Sequence, residues 1–553
     1  MDMLAVCPGI AIQTYVCEKG CRSTTMADQI DPRTLKKWLS DDREIAFLDV
    51  SEHGQHGHAH PLFAVPLPYS RFEVGLPVLV PNPAVRVVLI DEGDGIGTRA
   101  AARADAIGYE NLYVLSGGKD AWRRAGYRLY AGVNVPCKTF GELVERERHT
   151  PRVSAHAVQA MRDAKEDLVI VDGRPFPEYS KMHIPGGICC PNGELALRIE
   201  GIAPDPKTKI VVNCAGRTRS IIGAQTLLDF GITNRVYALE NGTQGWTLAD
   251  LALEQGALRR YPDNIAASDI SDLQERARAF ALSRKVCYVT PPDANAWLAD
   301  RSRTTYLFDV RSPEEYETRS VPGFRHAPGG QLIQTLDHWV GVQRARIVLA
   351  DAEMVRAPVV AGWLYQLGYE PCVLEGGIAA AAACDWSREL RQSEFSDIVP
   401  IGATELVRVI DADSVQLVDL RPAMTFRKGH IAQATWSIRP RILAVANDSA
   451  ETIVLVADEH DLAALAALDL AEAGFRDIRR LTGGIEDWRY AGLPIAMSPS
   501  YPADADCIDF LFFVHDRHEG NAEAARQYLA WEMALPEQLD AEERAAFRLV
   551  LGL

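Results

Sequence analysis

Short apolar runs alternate with longer mixed stretches along this chain, and the alternation repeats. "FLDVS", "IVDGR", "LFDVR" and "LVDLR" each carry an apolar run into an aspartate, at Asp49, Asp172, Asp309 and Asp419. A second run follows each ("RVVLI", "KIVVN", "RIVLA", "TIVLV"), and a third leads into a small-residue turn ("VLSGG", "ALENG", "VLEGG", "RLTGG"). Runs of this length, bounded by turn residues, predict buried strands. The segment "SIIGAQTLLDF", from Ser220 to Phe230, is apolar almost all round and predicts a helix packed on a sheet. Strands alternating with such helices predict βαβ units around a mainly parallel sheet.

The spacings show that one unit occurs four times. Eleven residues after the opening aspartates stand His60, His183, Ser320 and His430. The residue that follows the second strand is Asp91, Cys214, Asp351 or Ala457, 42 residues past the aspartate in three units and 38 in the fourth. Seventeen residues further on comes a glycine in every unit, Gly108, Gly231, Gly368 and Gly474, where a left-handed helix end is expected. Three units add a tryptophan after the small-residue turn, Trp122, Trp246 and Trp488. The boundaries this implies are 27–135, 145–258, 285–390 and 398–497, between an N-terminal extension of 1–26 and a tail of 499–553. Linkers are expected at "CKTFGELVERERHTP", at "RRYPDNIAASDISDLQERARAFALSRK", which carries a helix of its own, and at "SRELRQSEFSDIVP". The tail reads as two short amphipathic helices whose Tyr528, Leu529 and Trp531 dock on the chain itself.

Composition narrows the function. With 47% hydrophobic and 24% charged residues the chain has a globular composition, and it lacks an apolar run long enough to span a membrane. The opening stretch has an acid at Asp2 and no basic segment, so a secretory leader is not expected. A net charge of −17 argues against nucleic acid as a partner. Eleven cysteines, without a disulfide-scaffold pattern, are read as reduced thiols of a cytoplasmic protein. Cys17 and Cys21 hint at a metal pair, but no second pair matches them, and they fall to the extension before Met26.

"VVNCAGRTRS" is the stretch that carries chemistry. Cys214 ends a strand where ligands of parallel α/β sheets bind. A helix N-terminus and neighbouring cations lower a thiol's pKa, and the thiolate is the nucleophile. Gly216 lets the backbone close around the sulfur, and loop N–H groups form an anion nest with Ala215, Thr218 and Ser220. Arg217 and Arg219 add fixed positive charge for a small dianion. A cysteine at a strand end is often plain core. Here the three sister units have Asp or Ala at that place, so packing does not call for sulfur.

The Asp-x-Arg, His-Ile-Pro-Gly, strand-end Cys loop and Gly-Gly-x-x-x-Trp pattern resembles the rhodanese domain, most closely in "DGRPFPEYSKMHIPGG" and "CAGRTRS" of the second unit. The whole chain resembles the bacterial four-domain rhodanese-like thiosulfate sulfurtransferases. The resemblance implies four tandem rhodanese-like α/β domains and a short helical tail. It implies that Cys214 takes the outer sulfur of thiosulfate as a persulfide and passes it to cyanide or a thiol, that of a protein acceptor included. No cofactor or metal is implied. Asp91, Asp351 and Ala457 replace the nucleophile, so units 1, 3 and 4 are expected to be inactive. Arg174 matches the family arginine and is a candidate substrate ligand, with a structural ion pair the favoured role.

Three features compete for attention. His53, His56, His58 and His60 offer metal ligands but read better as a solvated loop. Cys189 and Cys190 could relay sulfur from Cys214, although strand burial is the commoner fate. "DEGDGIG" looks like a phosphate loop, but its acids would repel phosphate. Rival functions are a sulfur-relay or non-catalytic binding protein, and a phosphatase or arsenate reductase of related fold. Phosphate-binding cysteine loops usually place an arginine six residues on; here that residue is Ser220.

Overall fold

The computed structural model describes residues 27–550 apart from 264, 266–269, 387–396, 411–414, 448–449 and 513–520. Cys17, Cys21 and most of the third expected linker lie outside the described residues. Each unit is built on a five-stranded sheet in the order first, fifth, fourth, second, third. All its strand pairs are parallel, as in unit 2. The three strands legible in the apolar pattern are the centre of each sheet. The two others are short, such as Arg152–Val153 and Ile188–Cys189, too short to carry a period. Helices cover both faces, so the central strands are apolar throughout rather than alternating. Every residue of Ile45–Asp49 and Arg86–Ile90 is buried.

The register explains the repeating aspartate. Asp172 lies opposite Asn213, so the first loop of the sheet's carboxyl edge stands beside the Cys214 loop. The predicted helix ends are present: Gly108, Gly231, Gly368 and Gly474 have φ of 92°, 81°, 96° and 104°.

The first expected linker is instead a helix, Val135–Arg148. Val135, Phe140, Leu143 and Val144 are buried in it, and of its charged residues Glu145 and Arg148 are held by Arg217 and Asp229 while Arg146 is exposed. The second linker does contain its helix, Ile270–Ser283. These two helices, with Thr218–Asp229 of unit 2 and Arg356–Gln366 of unit 3, share a core. Trp363 sits at its centre, with Phe140 and Phe280 rings 6.0 and 6.2 Å away and its indole N–H donated to Thr226 at 2.8 Å. Unit 4 has separate cores. It joins unit 1 through ions: Arg439 holds Glu73 at 2.6 and 2.8 Å, and Asp469 takes Arg99 and Arg103 at 2.7 and 2.6 Å.

The tail docks on the chain, as expected. Its helices Ala522–Met533 and Ala541–Ala545 close over units 1 and 2. Gly132, at φ 98°, admits Trp531 so closely that a Cβ there would lie 2.4 Å from the ring. Tyr130 donates to Glu543 at 2.6 Å.

Two expectations are corrected. Cys287 and Cys372 form a disulfide with Cα atoms 4.7 Å apart, because the two strands that carry them pair in register. A separation of 85 residues conceals that pairing in the sequence. The histidine segment is not a solvated loop: His53–His58 is a helix, and His56 and His60 are buried and stacked, 3.9 Å apart. The cause is Ser51, which stands where the other units have arginine. Buried Asp49 instead pairs with Lys119 Nζ at 3.0 Å and is hydrogen-bonded to His56 Nδ1 at 2.8 Å. Among the described residues no helix is long and apolar enough to cross a membrane.

Candidate active site

The strand Lys209–Asn213 delivers Cys214 to the carboxyl edge of the unit 2 sheet, and the helix Thr218–Asp229 begins four residues later. The small-residue turn pins this loop from above. Thr243 N–H donates to Cys214 O at 2.8 Å and Gln244 N–H to Ala215 O at 3.1 Å. Gly242 must be glycine there: its φ is 53° and a Cβ would lie 2.2 Å from Cys214 O. Side chains cannot occupy that gap, so the motif glycine holds the nucleophile loop in place.

Cys214 is 2% exposed, and the backbone N–H groups of Gly216 and Ser220, with the Ser220 hydroxyl, lie close enough to its sulfur to favour the thiolate. The expected nest is therefore built from backbone. The expected low thiol pKa is not found. Burial pushes the thiol above its usual value, and Arg219, Ser220 and the two N–H groups only oppose that shift. A sulfur removed from water pays for charge unless the cradle compensates fully.

The two arginines do not face the cavity as free charges. Arg217 turns away to Glu142, at 2.6 and 2.9 Å, and to Glu145, with Asn241 at 3.3 Å. Arg219 is the cation nearest the sulfur and holds Glu178 through two bonds of 2.8 Å. The Ser220 hydroxyl donates to the Arg217 carbonyl at 2.8 Å, with the Leu239 carbonyl 3.3 Å away. Thr218 donates to Glu532 of the tail at 2.7 Å. Arg174 is not at the site. It forms a two-bond ion pair with Asp172 at 2.8 and 2.7 Å and donates to the Met182 carbonyl, which corrects its candidacy as a substrate ligand. Arg311 and Arg421 repeat this pair in units 3 and 4. Cys189 and Cys190 are buried, and burial pushes the Cys189 thiol up to about 12 and that of Cys190 well above its usual value. Neither lines the cavity that opens beside Cys214.

A cavity of about 240 Å³ opens beside Cys214. Unit 2 supplies its floor, Lys138 of the connecting helix and Gln331 and Gln334 of unit 3 its sides, and Tyr528 and Glu532 of the tail its roof. A larger cavity of about 320 Å³, between units 1 and 3 and the tail, has no cysteine in its lining. Sequence reasoning missed Glu142, Glu178, Gln244 and Glu532; Glu178 stands within the quoted "DGRPFPEYSKMHIPGG" stretch and Gln244 two residues past the pinning glycine, while Glu142 and Glu532 carry no motif.

A strand-end cysteine in a backbone nest, on a parallel sheet that occurs four times, defines a tandem α/β protein of the cysteine-loop class. The family model of the rhodanese-like domain matches residues 31–125, 154–249, 290–384 and 402–491, and the chain belongs to that family. Across almost its whole length it is similar to a solved thiosulfate sulfurtransferase from Pseudomonas aeruginosa. Identity is 39%, with a TM-score of 0.86 over 94% of this chain and 99% of that one. Thiosulfate sulfurtransferase GlpE of Shewanella oneidensis is 32% identical over 100 residues, 18% of this chain and 98% of that protein. An HTH-type transcriptional regulator of Mycobacterium tuberculosis, Rv0324, is 29% identical over 165 residues, 27% of this chain and 72% of that protein.

Proposed function

We infer that the protein is a sulfurtransferase that carries sulfane sulfur on Cys214. The observation that carries this reading is the sulfur of Cys214 in its N–H nest, at the floor of an open cavity, in the one unit with a cysteine after its second strand. The similarity to thiosulfate sulfurtransferases supports it.

In the first half-reaction the Cys214 thiolate attacks the outer sulfur of thiosulfate. A Cys–S bond to that sulfur forms, the S–SO₃ bond breaks, and its electron pair leaves on sulfite. The product is a Cys214 persulfide, with total charge unchanged. In the second half, cyanide or an acceptor thiolate attacks the terminal sulfur and the Cys214 thiolate departs. This is covalent, two-stage catalysis. The N–H groups of Gly216 and Ser220 stabilise the sulfur anion, and Arg219 supplies the nearest positive charge. Arg217 anchors the loop through Glu142 and contributes charge at longer range.

Units 1, 3 and 4 serve as scaffold, and unit 3 together with the tail shapes access to Cys214. The partners are a small anionic sulfur donor and a thiol or cyanide acceptor, in the cytoplasm. Aryl phosphate should not be hydrolysed, because Ser220 stands where a phosphate-binding arginine would and its hydroxyl is tied to the Arg217 carbonyl. The test is direct: thiosulfate added to the purified protein should release sulfite and add sulfur mass. Phosphate release from an aryl phosphate without sulfur loading would reverse the assignment.

A further inference from the structure

The roof of the Cys214 cavity brings a carboxylate into a pocket read from sequence as an anion cradle. Glu532 lies in the last turn of the helix Ala522–Met533 and is 2% exposed. Its Oε1 accepts from Thr218, and its Oε2 lies 3.5 Å from where a Cβ on Gly216 would start. The placement is unfavourable for the tail itself. The last turn is the negative end of a helix dipole, where acids destabilise. Glu142 is also close; burial, then the neighbouring charges of Glu532 and Glu145, push its carboxyl up against the opposing pull of Arg217.

With Glu532 in place the pocket has no surplus positive charge. Three cations, Arg217, Arg219 and Lys138, stand against four carboxylates: Glu142 and Glu145 hold Arg217, Glu178 holds Arg219, and Glu532 lines the cavity with Lys138. A second observation points to a ligand. Gln244 is 8% exposed and lines the cavity, yet neither its amide nitrogen nor its amide oxygen has a hydrogen-bond partner in the protein. A buried amide without a partner is unfavourable, so something that enters the pocket is expected to satisfy it. Size agrees. A cavity of about 240 Å³ far exceeds what five-atom thiosulfate needs.

We propose that Glu532 and Gln244 set the donor specificity of this site. They favour organic sulfane donors with a single negative charge, of the thiosulfonate or alkyl persulfide class, over dianionic inorganic thiosulfate. Glu532 repels a second negative charge, while the Gln244 amide hydrogen-bonds the uncharged part of the donor. The chemistry balances as before: with a thiosulfonate the Cys214 thiolate takes the terminal sulfur, the S–SO₂R bond breaks, and its electron pair leaves on the sulfinate. This inference rests on the sulfurtransferase reading of Cys214.

The test compares thiosulfate with methanethiosulfonate, which differ by one charge at the reacting end, with cyanide as acceptor. Glu532→Gln keeps the Thr218 bond and removes the charge. It should raise kcat/KM by about tenfold for thiosulfate and about threefold for methanethiosulfonate, mainly through KM, as loss of one screened unit charge predicts. The ratio of the two cancels the donors' intrinsic reactivities and should move about threefold towards thiosulfate. Gln244→Ala should lower kcat/KM for methanethiosulfonate about threefold to tenfold, the worth of one hydrogen bond. A ratio that does not move in Glu532→Gln overturns the proposal and leaves the sulfurtransferase reading standing. Wild-type protein that takes sulfur from neither donor overturns both. Should the variants not fold, inhibition of the wild type decides: methanesulfonate should inhibit at lower concentration than sulfate, and the reverse order overturns the proposal.

Discussion

At the end of their second strands, units 1 and 2 build the same backbone nest and fill it differently. In unit 1 the Asp91 carboxylate accepts the N–H groups of Gly93 and Gly97 at 2.9 and 2.8 Å. In unit 2 those beside the Cys214 sulfur belong to Gly216 and Ser220, the same two positions counted from the loop's first residue. Unit 3 uses a different pair: Asp351 accepts from Val355 and Arg356, the fourth and fifth residues past it, at 3.1 and 3.0 Å. In these three units the turn from strand to helix thus offers backbone N–H groups to whatever residue follows the strand. Reactivity belongs to its occupant. Units 1 and 3 carry their own anion in the nest, which leaves no N–H groups for an outside one, and this is a physical reason for their expected inactivity.

Changing the occupants breaks that comparison most sharply. Cys214→Ser should abolish sulfur transfer and leave thermal unfolding nearly unchanged, since serine is close in volume and the nest still has an acceptor. Retention of more than a small fraction of thiosulfate:cyanide activity would remove Cys214 from its role. The converse exchange should fail. Asp351→Cys in the Cys214→Ser background should restore no measurable activity, because Arg356, the counterpart of Arg219, is held by Glu194, Glu315 and Glu353. Recovery of full activity would mean that the nest alone suffices.

The arginines separate charge at the sulfur from support of the loop. Arg219→Ala removes the nearest cation and should lower kcat/KM roughly tenfold to a hundredfold, the worth of one charged hydrogen bond of about 1.5–3 kcal/mol. Arg217→Ala leaves Glu142 and Glu145 without their partner. It should show chiefly as a loss of stability of about 3–5 kcal/mol in denaturant unfolding, the usual consequence of breaking a buried pair. Equal stability with a large loss of activity would place Arg217 on the substrate instead.

A smaller effect is expected from pH. Burial holds the Cys214 pKa above its usual value. The reactive thiolate is then scarcer at neutral pH than for a free thiol and grows as pH rises through the raised pKa. The initial rate of sulfur loading should therefore keep climbing past about pH 8.5, the ordinary thiol value. In Arg219→Ala, without the opposing positive charge, the climb should shift to higher pH. A plateau near neutrality would show that substrate binding or cradle motion lowers the thiol pKa.

What was legible in the sequence was local. Apolar runs, an aspartate, a strand-end loop and a glycine 17 residues on are all set by neighbours within one βαβ unit, and they located both the sheets and Cys214. The loop's charge balance was not legible, because its partners come from elsewhere. Glu178 lies 41 residues from Arg219, Glu142 75 residues from Arg217, and Glu532 314 residues from Thr218. Two arginines beside a cysteine therefore read as free positive charge until the fold brought carboxylates to them. The helix Val135–Arg148 was hidden for a related reason. Its "ERER" end looks like a linker, and only the packing of Phe140 against Trp363 and Phe547 shows that its other face is core.

The central claim is that the occupant and surroundings of the nest, not the number of thiols, decide where sulfur goes. The described residues include six free cysteines, Cys137, Cys189, Cys190, Cys214, Cys384 and Cys507. Intact-mass measurement after brief thiosulfate treatment should show one added sulfur per chain, removed by cyanide and absent in Cys214→Ser. Stable loading of two or more sulfurs, or of one that persists in Cys214→Ser, would contradict the account.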